Sequence, residues 1–240
     1  MPFTSLLDLF KRDNWSNELV AKIGEMLDTA AEMFGYAVGI IVYGEPDENP
    51  QTEIYDRDIK INYLVRTIRR RVITRLSLKS SRGEVPTALI FMNTVKDVER
   101  IGDYMKNLYE TNALMCDVPE RKIYQEYLVG RSRTIEDLFQ RTIQAFSESD
   151  QEKATDVIQR ARILGKEVEK AIREVTLSKL EVCDAVCLVL ILRFYKRIAA
   201  HMSNVSTSVV MPVDLLDFYD ERGGRTLEEG MSEIHDPYLD

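Results

Sequence analysis

The sequence contains few of the residues from which disulfide-rich, membrane-spanning or histidine-liganded proteins are built. Its 240 residues include three cysteines and two histidines. Three cysteines (Cys116, Cys183 and Cys187) are too few for a disulfide framework, and the last two stand four apart in an apolar run, so we expect buried free thiols rather than metal ligands. There is no run of about 18 uninterrupted apolar residues and no secretory signal, so we expect no membrane span and a cytoplasmic location.

Positive charge and catalytic motifs are also scarce. The formal net charge is −8 and the isoelectric point about 5.1, which disfavours nucleic acid as the main partner. The sequence has no glycine-rich phosphate loop, no serine nucleophile elbow and no Cys-x-x-Cys pair, so we expect no enzyme activity. A ferritin-like di-iron bundle requires Glu-x-x-His, but Ile198 stands three residues before His201.

What the sequence does contain is helical periodicity, and strand signals are nearly absent. In the second segment the apolar positions follow the helical period: Ile54, Ile61, Leu64, Val65, Ile68, Val72 and Leu76. The pattern predicts six helices, over about 15–44, 52–79, 86–115, 119–147, from the Ser149–Glu152 capping box to 176, and 178–209. Gly44, Pro46 and Pro50 end the first, and Asp117–Glu120 gives the start signal of the fourth.

This layout predicts an all-α fold made of two tandem pseudo-repeated three-helix bundles. The first repeat covers 15–116 and the second 117–210. An N-terminal segment, 1–14, carries a short apolar face whose expected place is on its own bundle rather than on a lipid surface. An acidic C-terminal tail, 211–240, is expected to contain a short helix at Val213–Tyr219.

Two acidic steps are the most informative chemistry in the chain. Asp58 and Asn62 are four residues apart on the second predicted helix, and Glu99 and Asp103 are four apart on the third. Side chains at i and i+4 share a helix face, so two such steps on neighbouring helices could form a site of hard oxygen ligands for magnesium, manganese, calcium or iron. Alternatively, each acid pairs with Arg69, Lys96 or Arg100 at a helix seam.

Gly102 lies inside the second step, where a helical glycine costs about 1 kcal/mol relative to alanine. It indicates either a close approach of a neighbouring helix or ligand cluster, or a simple packing contact. A basic cluster, made up of Arg66, Arg69, Arg70, Arg71, Arg75 and Lys79, could receive an acidic partner or a phosphate. Its side chains spread around several faces, which favours a solvated surface with ion pairs inside the chain.

The wording of the two steps, Asp-x-x-Ile-Asn at 58–62 and Glu-Arg-Ile-Gly-Asp at 99–103, resembles the PhoU family of phosphate-signalling proteins. That family has two tandem three-helix repeats with acidic motifs on the second and third helices of each. The resemblance implies a divalent metal or an iron or zinc cluster in the first repeat, held by Asp58, Asn62, Glu99 and Asp103.

The second repeat departs from this pattern. Lys196-Arg-Ile-Ala-Ala200 stands where the family has Glu-Arg-Ile-Gly-Asp, about a hundred residues after Glu99, and the upstream partner is expected at Gly165–Glu169. Three of the four expected oxygen ligands are therefore missing, so any metal should bind in the first repeat.

The resemblance implies a non-enzymatic cytoplasmic regulator of phosphate uptake. Such a protein would couple a phosphate transporter to a sensor histidine kinase or similar signalling protein, would bind the membrane peripherally through the transporter, and could form a homodimer. The alternative is a metal-free helical adaptor or dimerisation module whose partner binding depends on arginines 66–75. A third interpretation is a soluble relative of the cytosolic tails of sodium–phosphate carriers.

Overall fold

The computed structural model describes residues 14–78, 82–116 and 119–217, and those three stretches contain helices and no strand. There are six long helices, which confirms the predicted all-α fold of two three-helix units. They are α1 Asn14–Val38, α2 Arg57–Leu76, α3 Val85–Glu110, α4 Arg121–Glu148, α5 Gln151–Thr176 and α6 Val182–Val210.

The first helical segment ends and the second begins where the sequence predicts, but the turns at these two ends are π-helical rather than α-helical. A π-helical turn, Gly39–Tyr43, extends α1, and another, Gln51–Asp56, precedes α2. Gly44 then ends the first segment with φ 73°, a left-handed conformation that glycine adopts without steric cost. Arg121 of the second repeat donates to the carbonyls of Ile40 and Ile41 at 2.9 and 2.6 Å; the Ile40 carbonyl also accepts from the Gly44 N–H, so Arg121 chiefly satisfies the Ile41 carbonyl at the helix end.

Two predicted helix starts in the second repeat are shifted. The fourth helix begins at Arg121, two residues after Pro119, so this proline does not lie in its first turn. The cap of α5 is Asp150 rather than Ser149: its carboxylate accepts from the backbone N–H groups of Glu152 and Lys153, each at 3.0 Å. Ser149 instead ends α4 in a left-handed conformation, with φ 54°.

Each repeat packs its three helices against one another, and the repeats meet where α1 contacts α4 and α3 contacts α6. Buried side chains from all six helices form one hydrophobic cluster. At its centre Phe34 of α1 lies 6.1 Å from Phe139 of α4 and 5.5 Å from Tyr195 of α6, measured between ring centroids. Since each large side chain contributes about 1.5–3 kcal/mol on burial, this shared core holds the two repeats together.

One helix, Trp15–Tyr43, is long and apolar enough to span a membrane by length and composition, and 67% of its most apolar window is buried in the bundle. Its hydrophobicity is therefore accounted for by the core. The predicted N-terminal apolar face (Phe3 to Phe10) lies outside the described residues, as do Lys79 and the tail beyond Asp217. Of the helix predicted at 213–219, the structure describes a short 3-10 turn, Val213–Leu215.

Candidate functional site

Two of the four predicted metal ligands, Asn62 and Glu99, line a shallow groove between α2 and α3, the first-repeat groove; Asp58 and Asp103 lie on the same two helices outside its lining. It has a volume of about 460 Å³ and is lined by Ile59, Asn62, Val65, Arg66, Arg69 and Glu99. Two ion pairs join the two helices. Lys106 Nζ lies 3.3 Å from Asp58 Oδ2, and Arg69 Nη2 lies 2.9 Å from Glu99 Oε2. The pairing of 58 with 106 and of 69 with 99 shows that the two helices are antiparallel.

The acidic side chains differ in their surroundings. Asp58 is the more enclosed, with 14% of its side chain exposed against 29% for Glu99. Asn62 donates to the same Asp58 oxygen at 3.4 Å. Asp103 is half-buried and has no hydrogen bond or ion pair with any described residue. The predicted pairing of Glu99 with a base at the helix seam is therefore present, and the base is Arg69.

The donor types in the first-repeat groove suit a hard cation, but the donors do not converge on one point. Glu99 and Lys106 are seven residues apart on α3, about 10 Å along its axis, so Asp58 and Glu99 stand at different levels. Within the described part of the chain, Asp58, Glu99 and Asp103 do not bring three carboxylate oxygens within 4.8 Å of one another. A cation would have to displace the ammonium group of Lys106 or the guanidinium of Arg69 from its carboxylate, and these groups therefore compete with the cation for its ligands.

Gly102 lets α2 and α3 approach each other beside the groove. A Cβ atom at this position would lie 2.9 Å from Cδ1 of Ile61, closer than van der Waals contact allows. The close approach expected from the sequence is therefore a helix–helix contact with an apolar side chain.

A second groove, between α5 and α6, repeats the positions of the first with different charges; we call it the second-repeat groove. Arg162, Gly165, Lys166 and Glu169 line it from α5 at the spacing of Asn62, Val65, Arg66 and Arg69. Lys196 replaces Glu99 and pairs with Glu169 across the groove. By this spacing, the second-repeat equivalents of Asp58 and Asn62 are Ile158 and Arg162, rather than the expected Gly165 and Glu169.

Comparison with known proteins matches this duplicated architecture. The family model of the PhoU domain matches residues 23–111 and 131–209, one match in each repeat. The chain belongs to the PhoU domain family. In fold it is similar to the crystal structure of PhoU from Pseudomonas aeruginosa, with a TM-score of 0.70, 18% identity, and 80% of this chain and 94% of that one covered.

A second similar structure is that of the phosphate transport system regulatory protein PhoU from Streptococcus pneumoniae. Its TM-score is 0.71 and its identity 16%, with 85% of this chain and 95% of that chain covered. No individually curated protein matches the chain in sequence. At these identities the structures establish the PhoU fold, and the roles of individual residues have to be argued from this chain.

The seam between the two PhoU repeats contains a buried polar cluster that sequence reasoning missed. Asp97 of α3 is 6% exposed. Its Oδ1 lies 2.7 Å from His201 Nδ1 and accepts from the Asn204 amide at 3.1 Å, so it bonds to two side chains of α6. Tyr104 stacks on the His201 ring with centroids 5.6 Å apart. The available signal was an acid between the apolar positions Val95 and Val98.

The cysteine prediction is wrong for two of the three thiols. Cys116 and Cys183 form a disulfide, with Cα atoms 5.7 Å apart and a sequence separation of 67. The bridge was not predictable because it joins the end of the first repeat to the start of α6 through the tertiary fold. Cys187 is free and buried, as predicted.

Asp184, next to Cys183, is buried and accepts from the Tyr124 hydroxyl at 2.8 Å. One atom each of Cys116, Cys183 and Asp184 lies within 4.8 Å of the others. While the sulfurs are bridged they cannot act as thiolate ligands. Burial, together with this hydrogen bond, raises the pKa of Tyr124 far above its ordinary value, so Tyr124 stays a donor at any physiological pH.

The basic cluster on α2 divides into two parts. Arg69, Arg71 and Arg75 pair with Glu99, Glu18 and Glu84, which confirms the predicted ion pairs inside the chain. Arg66 and Arg70 are exposed and form no ion pair with a described residue. At about 100° per residue they share one face with three exposed apolar side chains. This α2 stripe consists of Ile59, Tyr63, Arg66, Arg70 and Ile73.

Proposed function

We propose that the protein is a non-enzymatic cytoplasmic regulator of phosphate transport. The observation that carries the proposal is the family match in both repeats, since the family's solved members include a phosphate transport system regulatory protein. The rigid, shared core suits a protein that presents helix faces to partners rather than one that closes around a substrate.

The proposed partners are a phosphate transporter and a sensor histidine kinase or similar signalling protein, with peripheral membrane association through the transporter. The α2 stripe supports such contacts. It exposes Ile59, Tyr63 and Ile73 at 59%, 61% and 64%, a combination of apolar and arginine side chains typical of protein interfaces. A homodimer through the same stripe is part of the proposal.

The test is a deletion of the gene in its host, with uptake of labelled phosphate measured at low and high external phosphate. We expect the difference between the two conditions to shrink without the protein and to return with the wild-type gene. Arg66→Ser with Arg70→Ser should restore it poorly, because these side chains lie on the α2 stripe. The control, Arg133→Ser with Arg173→Ser, removes equal charge elsewhere. Unchanged uptake in the deletion strain would reject the regulatory role.

Metal binding by Asp58, Asn62, Glu99 and Asp103 is the finer part of the proposal. When bound, the cation would fix the packing of α2 on α3, and Asp103, which has no described partner, would be its most available ligand. Because Lys106 and Arg69 already neutralise two of the acids, we expect weaker binding than at an all-carboxylate site.

Elemental analysis of protein purified without chelators or a metal column tests this part. Wild type should carry metal in stoichiometric amount, and Glu99→Ala with Asp103→Ala should lose it. The matched control, Glu167→Ala with Glu174→Ala, removes two exposed acids of α5 and should keep it. Metal in none of the three would favour the alternative, a metal-free adaptor, which the ion pairs in the groove already support.

A further inference from the structure

The second-repeat groove is lined by small and basic side chains. It has a volume of about 260 Å³. Its floor is formed by small residues, Ala161 and Gly165 of α5 and Ala200 of α6, which leave space between the helices. Ala200 takes the position that Asp103 has in the first repeat, so this space has no carboxylate from that position.

Three basic side chains surround this space. Arg162 and Lys166 are four residues apart and therefore share one face of α5, and Lys196 reaches in from α6. Lys166 is exposed and forms no ion pair with a described residue. Ser203, two helical turns from Lys196 on the same face of α6, adds a hydroxyl that forms no hydrogen bond with a described residue. Cationic groups with a hydroxyl donor are typical ligands of phosphate oxygens.

The first-repeat and second-repeat grooves differ in the charges of their side chains at matching positions. The cross-groove ion pair is reversed, Arg69–Glu99 in the first repeat and Glu169–Lys196 in the second, so it leaves the net charge unchanged. Around this pair Asp58 and Asp103 correspond to Ile158 and Ala200, Asn62 to Arg162, and Lys106 to Ser203. The second repeat thus lacks two negative charges and one positive charge of the first and has one additional positive charge, so its groove is more positive by two charges at matching positions.

Among the described residues, the two carboxylates of Glu169 and Asp217 also face the groove, and neither removes the basic character of the end at Lys196. Glu169 is held by Lys196, and this hydrogen-bonded pair lowers the pKa of Glu169. Asp217 lies at the other end, beside Thr207, which is eleven residues and about 16 Å along α6 from Lys196. Burial raises the pKa of Asp217, so its charge is the less stable of the two. The positive part of the groove is therefore the stretch from Arg162 through Lys166 to Lys196, with Ile158 and Thr207 at the Asp217 end.

We propose that the second-repeat groove binds a phosphate-type dianion through Arg162, Lys166 and Lys196, either inorganic phosphate or the phosphoryl group of a small monoester. The site goes beyond the proposed function, because it stands on the charges of this groove and not on a role in transport. It would give the protein a ligand of its own, in the repeat that has lost the acidic motif.

The experiment is calorimetric titration of the full chain, in a phosphate-free buffer, with inorganic phosphate and separately with glycerol phosphate. Sodium chloride at matched ionic strength is the reference. We expect saturable binding of one anion per chain. Arg162→Gln with Lys166→Gln should weaken it by at least about tenfold, because each charge-assisted hydrogen bond contributes a factor of that order. The stronger of the two ligands identifies the source of the phosphoryl group.

The matched control is Lys170→Gln with Arg173→Gln, which removes two positive charges from α5 outside the groove. It should bind the anions as wild type does, and circular dichroism should show both double variants folded. The proposal is overturned if neither anion saturates below about 10 mM, or if the control weakens binding as much as the groove variant. The transport role could still hold in that case, because the uptake assay does not depend on this groove.

Discussion

Reduction of the Cys116–Cys183 disulfide should destabilise the protein by an amount that the chain length fixes. The bridge closes a loop with a sequence separation of 67 residues, which contains all of α4 and α5. In the chain-entropy description, a disulfide that closes a loop of this length lowers the conformational entropy of the unfolded state by an amount equivalent to about 4 kcal/mol. That amount is a large part of the 5–15 kcal/mol that stabilises a typical domain.

The assay is urea unfolding followed by circular dichroism, with and without a phosphine reductant. Intact mass, with alkylation of free thiols, reports whether the bridge is open. We expect a lower midpoint and a free energy of unfolding reduced by up to about 4 kcal/mol. Cys116→Ser should show the low midpoint under both conditions. Cys187→Ala, which removes the buried thiol outside the bridge, should keep the response to reductant.

An unchanged midpoint in a sample whose mass proves complete reduction would refute the reasoning, since the loop would then close at no cost.

The redox state of the bridge in the cell depends on where the protein is located. The cytoplasm keeps most thiols reduced. In a cytoplasmic protein the working form would therefore be the less stable dithiol form, and alkylation of whole cells before lysis would show Cys116 and Cys183 as free thiols.

Two further predictions concern the helices. Gly102→Ala should cost about 1–2 kcal/mol, because its Cβ would lie 2.9 Å from Ile61. Gly24→Ala, whose Cβ meets nothing within 4 Å, should instead raise the free energy of unfolding by about 0.5–1 kcal/mol. If urea unfolding shows both variants stabilised equally, the close contact at Gly102 is contradicted. The hydrogen bond from the Lys153 backbone N–H is the main cause of the lowered pKa of Asp150. The Asp150 cap should therefore stabilise the fold fully above pH 3.8, the ordinary pKa of this carboxyl, and lose that effect as the pH falls through the lowered pKa of the folded state. Thermal midpoints measured against pH should show Asp150→Ala below wild type at neutral pH, with the difference disappearing in acid. The midpoint of Asp150→Asn should stay close to that of wild type throughout.

The helices were predictable from the sequence because each buries one apolar stripe. The positions Ile61, Leu64, Val65, Ile68 and Val72 are all buried in α2, as the helical period indicates. The errors lie at the ends, where tertiary contacts decide. Periodicity does not distinguish a π-helical turn from an α-helical one, and the capping of α1 by Arg121 joins residues about 80 positions apart.

The place of the acidic residues was predictable, but their pairing was not. Both acidic steps lie on the two helices that pack together, where Asp58 pairs with Lys106 and Glu99 with Arg69 rather than the acids with one another. Which base meets which acid depends on the register of two antiparallel helices, and that register is set partly by the contact between Gly102 and Ile61. The sequence offered three bases for Glu99 and no means of choosing Arg69 among them.

The two grooves combine the same helix packing with different side-chain chemistry. An ion pair joins the second and third helices in each repeat, and Arg69–Glu99 and Glu169–Lys196 have opposite polarity. Either polarity is compatible with the packing, because exposed pairs of this kind contribute at most about 1 kcal/mol and the buried apolar stripes hold the helices together. If the second-repeat groove binds a phosphate-type anion as proposed, two repeats of one fold differ in the sign of the ligand charge that they suit.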